Sequence, residues 1–368
     1  MYRKTWMEID LDAIVENVKK IKEQSGKKFI AVLKADAYGC GDIQVCRAVQ
    51  EAGADMVAVS SLDEAVVLRN EGYDGEILIL GTVDPENVKD MVKMDVAAAA
   101  YSKEWVDAVI KQPCKGLRLH LAVDTGMNRI GFKNLDEMRD AMHAILDAGC
   151  LVDGIFTHFY CAEEKDHVIT DQQFARFEKV VAALDHHFQW VHCDNSDATL
   201  FHHDHLSNAC RVGITLYGIS SYTNDLVCPI SLYTTIYMCK HVPAGETIGY
   251  GATYQTNEEE IIATAPIGYA DGFIRANQGR KVYVDGCYAE VVGRVCMDQV
   301  MLKMDHDVPL GTTVEIFGKH MPLTQMAQEL HTIPYEVICL ISGRVTRRYI
   351  WKGRIMEEQN DRLLRSEA

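Results

Sequence analysis

The stretch FIAVLKADAYGCGDIQVCRAVQEAGADMVAVSS, residues 29–61, reads as one strand–helix–strand unit. Phe29 to Leu33 form an apolar run of strand length. Asp42 to Gly53 place apolar residues at three- and four-residue spacing and end on glycine, and a second apolar run starts at Met56. Two buried runs joined by a helix imply parallel pairing, because parallel strands need a long crossover connection. The unit carries one anomaly: Lys34 follows directly on the first strand, with Tyr38, Gly39 and Gly41 just behind it.

The alternation continues outward. Apolar runs recur at EILILG (76–81), DVAAAAYS (95–102), LRLHLAVDTG (117–126), LVDGIFTHF (151–159), WVHCDN (190–195) and CRVGITLYG (210–218), separated by amphipathic segments such as LDEMRDAMHAILDAG. Eight strands between residues 29 and 218 fit a closed (β/α)8 barrel of the TIM type. An open doubly wound sheet would place a glycine-rich fingerprint after its first strand. From residue 219 onward, segments such as RKVYVDGCYAEVVGRVCMD and TTVEIFGK alternate apolar and polar residues between close turns. The expected organisation is an α/β barrel over 11–218 and a smaller, mainly antiparallel β domain over 219–368, with a late helix at LTQMAQELH (323–331).

Bulk properties narrow the function. With 37 basic and 53 acidic residues the formal charge is −16, which disfavours a nucleic-acid surface. Twelve cysteines lie scattered through apolar runs without a Cys-x-x-Cys pair, and MYRKTWMEIDLDAI carries charges where a signal peptide needs an apolar core. No run reaches the roughly 18 apolar residues of a membrane span. A cytoplasmic enzyme with reduced thiols is expected, without membrane or nucleic-acid partners.

Barrel residues at the C-terminal strand ends share one mouth. Those ends carry Lys34, then Asp124 to Arg129, Thr157-His158 and Asn195-Ser196, while the eighth strand begins with Arg211 and passes Gly213 and Ile214. Cationic and polar groups at the ends of apolar strands are costly to bury without a partner. An anionic, aromatic, phosphorylated ligand satisfies several together, and a lysine held near like charges condenses readily with an aldehyde. The expectation is that Lys34 carries pyridoxal 5'-phosphate.

AVLKADAYGCG, DTGMNRIG, FTHF, HCDNS, RVGITLYG, IGYGATY, APIGYADG, GRVCMDQ and TIPYEV resemble, in order, the motifs of the alanine racemase family. The likeness runs from TWMEIDLDAIVENV near the start to GRVTRRY near the end. It implies a cofactor-binding barrel followed by a β domain, with residues 1–10 pairing into the latter. It further implies a homodimer with shared active sites, a small amino acid substrate, and D-alanine supplied to peptidoglycan synthesis.

By resemblance Lys34 is both the cofactor lysine and one catalytic base, and Tyr250, from the partner subunit, is the second. Inversion needs bases on opposite faces, and a phenol titrating near 10 in water needs cations or hydrogen bonds to act as one. Arg211 matches the arginine facing the pyridine nitrogen. Tyr38, Ser196, Gly213, Ile214 and Tyr335 match the phosphate set. His158 matches the residue stacked near the ring and bonded to Arg211, while Leu80 and Asn195 lie near the cofactor. Arg129 and the Met297 backbone match the substrate-carboxylate binders, and Tyr269 lines the entrance.

Two positions depart from the family. A lysine often precedes the arginine of DTGM-x-R by seven residues and is carbamylated; here that position is Ala122. A chloride, a nearby acid or nothing then neutralises Arg129. Cys40 and Asp42 flank Gly41 where a His-Gly pair is usual. Serine is the rival substrate, but serine racemases of this family tend to replace the tyrosine that is Tyr335 here. A barrel-type decarboxylase is disfavoured by Arg211 and Tyr250, and a cofactor-carrier protein by the β domain. FHHDHLSN (201–208) resembles a metal site, yet adjacent ligands point apart, so no metal and a solvated face are expected.

Overall fold

The computed structural model of the chain describes residues 2–364. Contacts divide it into two compact units: Ile14–Ala37 with Asp42–Val227, and Met1–Ala13 with Tyr38–Gly41 and Cys228–Ala368.

The first unit is the eight-stranded parallel barrel. After an N-terminal strand β1 (Thr5–Asp10), its strands are β2 (Lys28–Val32), β3 (Met56–Val59), β4 (Ile77–Ile79), β5 (Ala97–Ala100), β6 (Arg118–Ala122), β7 (Leu151–Phe156), β8 (Trp190–His192) and β9 (Ala209–Val212). They close in that order, β9 pairing back onto β2. All eight apolar runs of the sequence are strands, with helices between successive members.

Alternate residues face inward. Ile30, Val32, Met56, Ala58, Leu78, Ala97, Trp190 and Ala209 make one apolar layer, with Leu80 against it. Ala99, Ala122 and Phe156 make another with Leu80 and Tyr101. The same alternation that points Trp190 and Ala209 inward points His192 and Arg211 inward two residues later. The barrel therefore fills with hydrocarbon in one layer and with imidazole and guanidinium above it. Gly154 makes room for one of these rings: a Cβ there would stand 2.4 Å from Nδ1 of His120.

The second unit is a ten-stranded sheet. Third from one edge of that sheet, β1 pairs antiparallel with Ile230–Thr235 and parallel with Thr346–Trp351. Helices Leu323–Glu329 and Pro334–Cys339 precede the Thr346–Trp351 strand, the latter helix with proline in its first turn, where the missing N–H costs nothing. Tyr38–Gly41 belongs here because the Arg347 guanidinium donates to the Gly39 carbonyl from Nε at 3.1 Å and Nη2 at 3.0 Å. Gly41, at φ +92°, lies so close to Tyr349 that a Cβ would come within 1.9 Å of the phenol oxygen.

All twelve cysteines are free thiols. Among the described residues no helix is long and apolar enough to cross a membrane.

Candidate active site

Lys34 opens a helical turn, Lys34–Gly39, that winds the unusual way. Ala35, Asp36, Ala37 and Tyr38 all have φ between 48° and 61°, so four consecutive non-glycine residues are left-handed. Each such residue costs roughly 1–2 kcal/mol, and strain of this kind persists only where surrounding contacts fix it. Those contacts are visible in the barrel unit. The Glu64 carboxylate accepts the Ala35 N–H at 2.7 Å through Oε1, and the Ser60 N–H at 2.7 Å through Oε2. The Tyr217 hydroxyl donates to the Ala37 carbonyl at 2.6 Å. The lysine is thereby set exposed at the strand end.

Arg211, from β9, is 4% exposed and has no carboxylate partner among the described residues. Its Nη1 donates to the His192 carbonyl and to His192 Nδ1, both at 2.9 Å. Its Nη2 donates to the carbonyls of Thr157 at 2.7 Å and Cys193 at 3.4 Å, and lies 3.2 Å from His158 Nδ1. All five contacts use the two Nη atoms, leaving the Nε–H without a partner among the described residues. An arginine cannot accept, so His192 Nδ1 is the acceptor, and its Nε2–H donates to Nδ1 of His120 at 2.9 Å. Burial pushes the His120 imidazole down to about 3, and His192 well below its ordinary value. Burial, with the cations Arg211, Arg129 and Lys34, brings His158 to about 3 as well. All three rings are neutral at pH 7. Burial lowers the guanidinium to about 10, which keeps it charged.

Beyond β8, the Asn195 side chain is committed to the fold: Nδ2 donates to the Phe159 carbonyl at 3.1 Å and Oδ1 accepts the Ala198 N–H at 3.1 Å. Ser196 Oγ accepts the Gly213 N–H at 2.9 Å, leaving the serine proton and the Ile214 N–H for another acceptor. Ala122, 2% exposed, packs with Ala99 and Phe156 in hydrocarbon. Arg129 is exposed and makes no hydrogen bond or ion pair among the described residues.

In the sheet unit, Tyr38 and Tyr335 lie with ring centroids 5.8 Å apart. Burial, then Tyr335 and Cys339, raise the Tyr38 pKa, so it stays a neutral hydroxyl donor. Tyr250, 72% exposed, sits between Gly249 at φ 72° and Gly251 at φ 73°. A Cβ on Gly251 would stand 2.8 Å from Arg294 Nη1, which places that guanidinium under the tyrosine turn. Tyr269 and Met297 are neighbours: the N–H groups of Tyr269 and Ala270 donate to the carbonyls of Cys296 at 3.0 Å and Met297 at 3.1 Å. The turn is pinned by buried Asp271, which accepts the Gly268 N–H at 3.0 Å and pairs with Arg3 at 2.6 Å.

Residues 9–221 match the profile of the alanine racemase N-terminal domain, and residues 229–349 that of its C-terminal domain. The chain belongs to the alanine racemase family. It is 41% identical to alanine racemase 1 of Bacillus subtilis, over 98% of this chain and 96% of that one. The crystal structure of alanine racemase from Bacillus anthracis with bound L-Ala-P superposes at a TM-score of 0.93, with 38% identity over 98% of both chains. The crystal structure of alanine racemase from E. faecalis gives 0.91, with 39% identity over 95% of this chain and 99% of that chain.

Within this family chain, sequence reading passed over Glu64, His120, His192, Asp271 and Arg294. A signal existed for two: His120 and His192 are polar residues inside otherwise apolar strands. The others act through contacts remote in sequence. One expectation is corrected. The face at 201–208 is not solvated throughout, because the side chains of His202 and Asp204 are 10% and 2% exposed. Lys27 Nζ lies 2.6 Å from Asp204 and 2.6 Å from Asp194, and His202 Nδ1 lies 2.7 Å from Asp194. An apolar-to-polar reading of eight residues could not show Lys27 arriving from the far end of the chain.

Proposed function

We propose that the chain is a pyridoxal-phosphate-dependent alanine racemase, interconverting L- and D-alanine with two bases, Lys34 and Tyr250. In this reading the enzyme is a cytoplasmic homodimer, and Tyr250 acts in the active site of the other subunit. The observation that carries it is Arg211: a buried, charged guanidinium whose one uncommitted donor is Nε–H, beside a neutral His158. That donor set fits a heteroaromatic ring nitrogen, which accepts a hydrogen bond from a guanidinium without receiving its proton.

The bound cofactor would supply a conjugated electron sink that acidifies the Cα–H of an amino acid joined to it. Lys34 would hold it covalently through Nζ. The Ser196 hydroxyl, the Ile214 N–H and the hydroxyls of Tyr38 and Tyr335 would take phosphate oxygens, with Gly213 holding Ser196 in place. Leu80 and His158 would border the ring, and Asn195 would brace the loop that carries Ser196. Because Arg211 keeps its proton, the ring nitrogen stays unprotonated and electron withdrawal is moderate, which favours returning a proton to Cα over transamination.

Arg129 and the Met297 backbone would hold the substrate carboxylate, and Tyr269 would line the entrance. Lys34 Nζ, released when the substrate amine takes its place, and Tyr250 Oη would then exchange protons with Cα from opposite faces, one removing and the other returning. The exposure of Tyr250 on a glycine-flanked turn supports its delivery to a neighbouring subunit.

The test incubates the protein and pyridoxal phosphate with L-Ala or L-Ser in heavy water and follows deuterium entering Cα, with mass in solution read by analytical ultracentrifugation. Alanine exchange with inversion, from a dimer, is expected. Faster exchange with serine would overturn the substrate, and a fully active monomer would overturn the shared site.

A further inference from the structure

We propose that Asp194, clamped by Lys27 and His202, is a positioning residue that supplies both the counter-charge and a backbone anchor for Arg211. The inference rests on the function proposed above, in which Arg211 faces the cofactor.

Arg211 has no direct ion-pair partner among the described residues, although it shares the barrel mouth with Arg129 and Lys34. The acidic groups acting on it are the thiols of Cys193 and Cys210 and the carboxyl of Asp194. Burial pushes the Cys193 thiol well above its ordinary value and Cys210 to about 12, so neither carries charge at pH 7. The carboxyl among the three, Asp194, is ion-paired with Lys27.

Its carboxylate is fully buried and occupied on both oxygens. Oδ2 meets Lys27 Nζ at 2.6 Å, and Oδ1 meets His202 Nδ1 at 2.7 Å. Lys27 also reaches Asp204 Oδ2 and Ser207 Oγ, each at 2.6 Å. Cys193, Asp194, His202 and Asp204 offer ligand atoms within 4.8 Å of one another, a spacing open to a metal. The ammonium of Lys27 already lies between the two carboxylates, so the cluster is held by an internal cation.

This clamp fixes a short segment that touches the site repeatedly. The Asp194 carbonyl accepts the Arg211 N–H at 2.9 Å. The Cys193 carbonyl accepts Arg211 Nη2, and Ser196 accepts the Gly213 N–H. Two carboxylates share the single Lys27 ammonium, so the cluster keeps a surplus negative charge, and Asp194 both brings that charge to bear on the guanidinium through space and anchors Arg211 through the backbone.

The experiment compares the full-length wild type with Asp194→Asn, Lys27→Met and the double variant Lys27→Met/Asp194→Asn. The readouts are the pyridoxal phosphate dissociation constant from tryptophan quenching, the absorption maximum of the bound cofactor, and the melting temperature. Asp194→Asn preserves shape and removes charge. It should weaken cofactor binding about tenfold, equivalent to ~1.4 kcal/mol, and move the absorption maximum. The double variant should regain the melting temperature lost in Lys27→Met while retaining the weakened binding. If binding recovers together with melting temperature, or if Asp194→Asn binds within about twofold of wild type with an unmoved maximum, the proposal fails. Wild-type protein that takes up no pyridoxal phosphate overturns the proposed function itself, whereas normal wild-type uptake with an unaltered Asp194→Asn overturns this inference alone.

Discussion

At the scale of single residues, the catalytic proposal rests on two groups of opposite setting, a lysine on a strained turn and a tyrosine in the open. Tyr250→Phe removes one oxygen from a side chain that is 72% exposed, so folding should be unaffected. Losing one of two acid–base groups should lower kcat/KM by ~10²–10⁴-fold. The loss must be equal for both enantiomers, because they have equal free energy. The asymmetry should instead appear in exchange: deuterium from solvent should still enter one enantiomer without inversion. Coupled assays for each direction, with mass spectrometry of the recovered alanine, would read both effects. Ala122 is the complementary case. Its methyl group packs with Ala99 and Phe156 inside the barrel, and no acid is paired with Arg129 among the described residues. Ala122→Lys would force an ammonium into hydrocarbon and should destabilise the fold by ~3 kcal/mol, measured by urea unfolding. A variant as stable as wild type would mean that this layer of the barrel admits water.

At the scale of elements, the turn Lys34–Gly39 is where local preference and tertiary demand disagree. Its alanines and tyrosine favour a right-handed helix, yet all take positive φ. Glu64 and Tyr217 hold two of its backbone groups, so the energy of the winding comes from contacts with other elements. Ala35, exposed at φ 56°, tests the hand directly. Glycine relieves the side-chain clash but gains more freedom when unfolded, so Ala35→Gly should stabilise by ~0.5 kcal/mol. Ala35→Val should destabilise by about 1–2 kcal/mol. In a right-handed helix the glycine variant would be the destabilising one, so the sign of its shift in urea midpoint decides the matter. The strands themselves were readable from their apolar runs. The hand of this turn was not, because its cause lies at residues 64 and 217.

At the scale of the whole molecule, the barrel holds three neutral imidazoles at or beneath its mouth. His120 and His158 are held down to about 3, and His192 well below its ordinary value, chiefly by burial. In the unfolded chain each titrates near 6.5. Between those values the unfolded state binds more protons than the native one, so stability falls as pH falls. It should be undiminished above about pH 7 and decline below 6.5, with a slope approaching ~4 kcal/mol per pH unit once all three titrate only on unfolding. Urea midpoints at pH 7.5, 6.0 and 5.0 would measure it. Replacing His120 with glutamine, which keeps a hydrogen-bonding side chain without the titration, should flatten the profile; an unchanged slope would mean that the imidazole is already protonated in the native barrel.

The sequence alone determined the eight-stranded barrel, the β-rich second half and the positions of Lys34, His158 and Ser196 just beyond their strands. Periodicity and strand order are local properties, and strand ends in a closed barrel face one way. Tertiary structure alone decided the left-handed winding behind Lys34, the use of both Arg211 Nη atoms by the barrel wall, and the burial of Asp194 and Asp204 around Lys27. Each of these depends on groups brought together from distant parts of the chain, whose interaction exists only once water has been excluded between them.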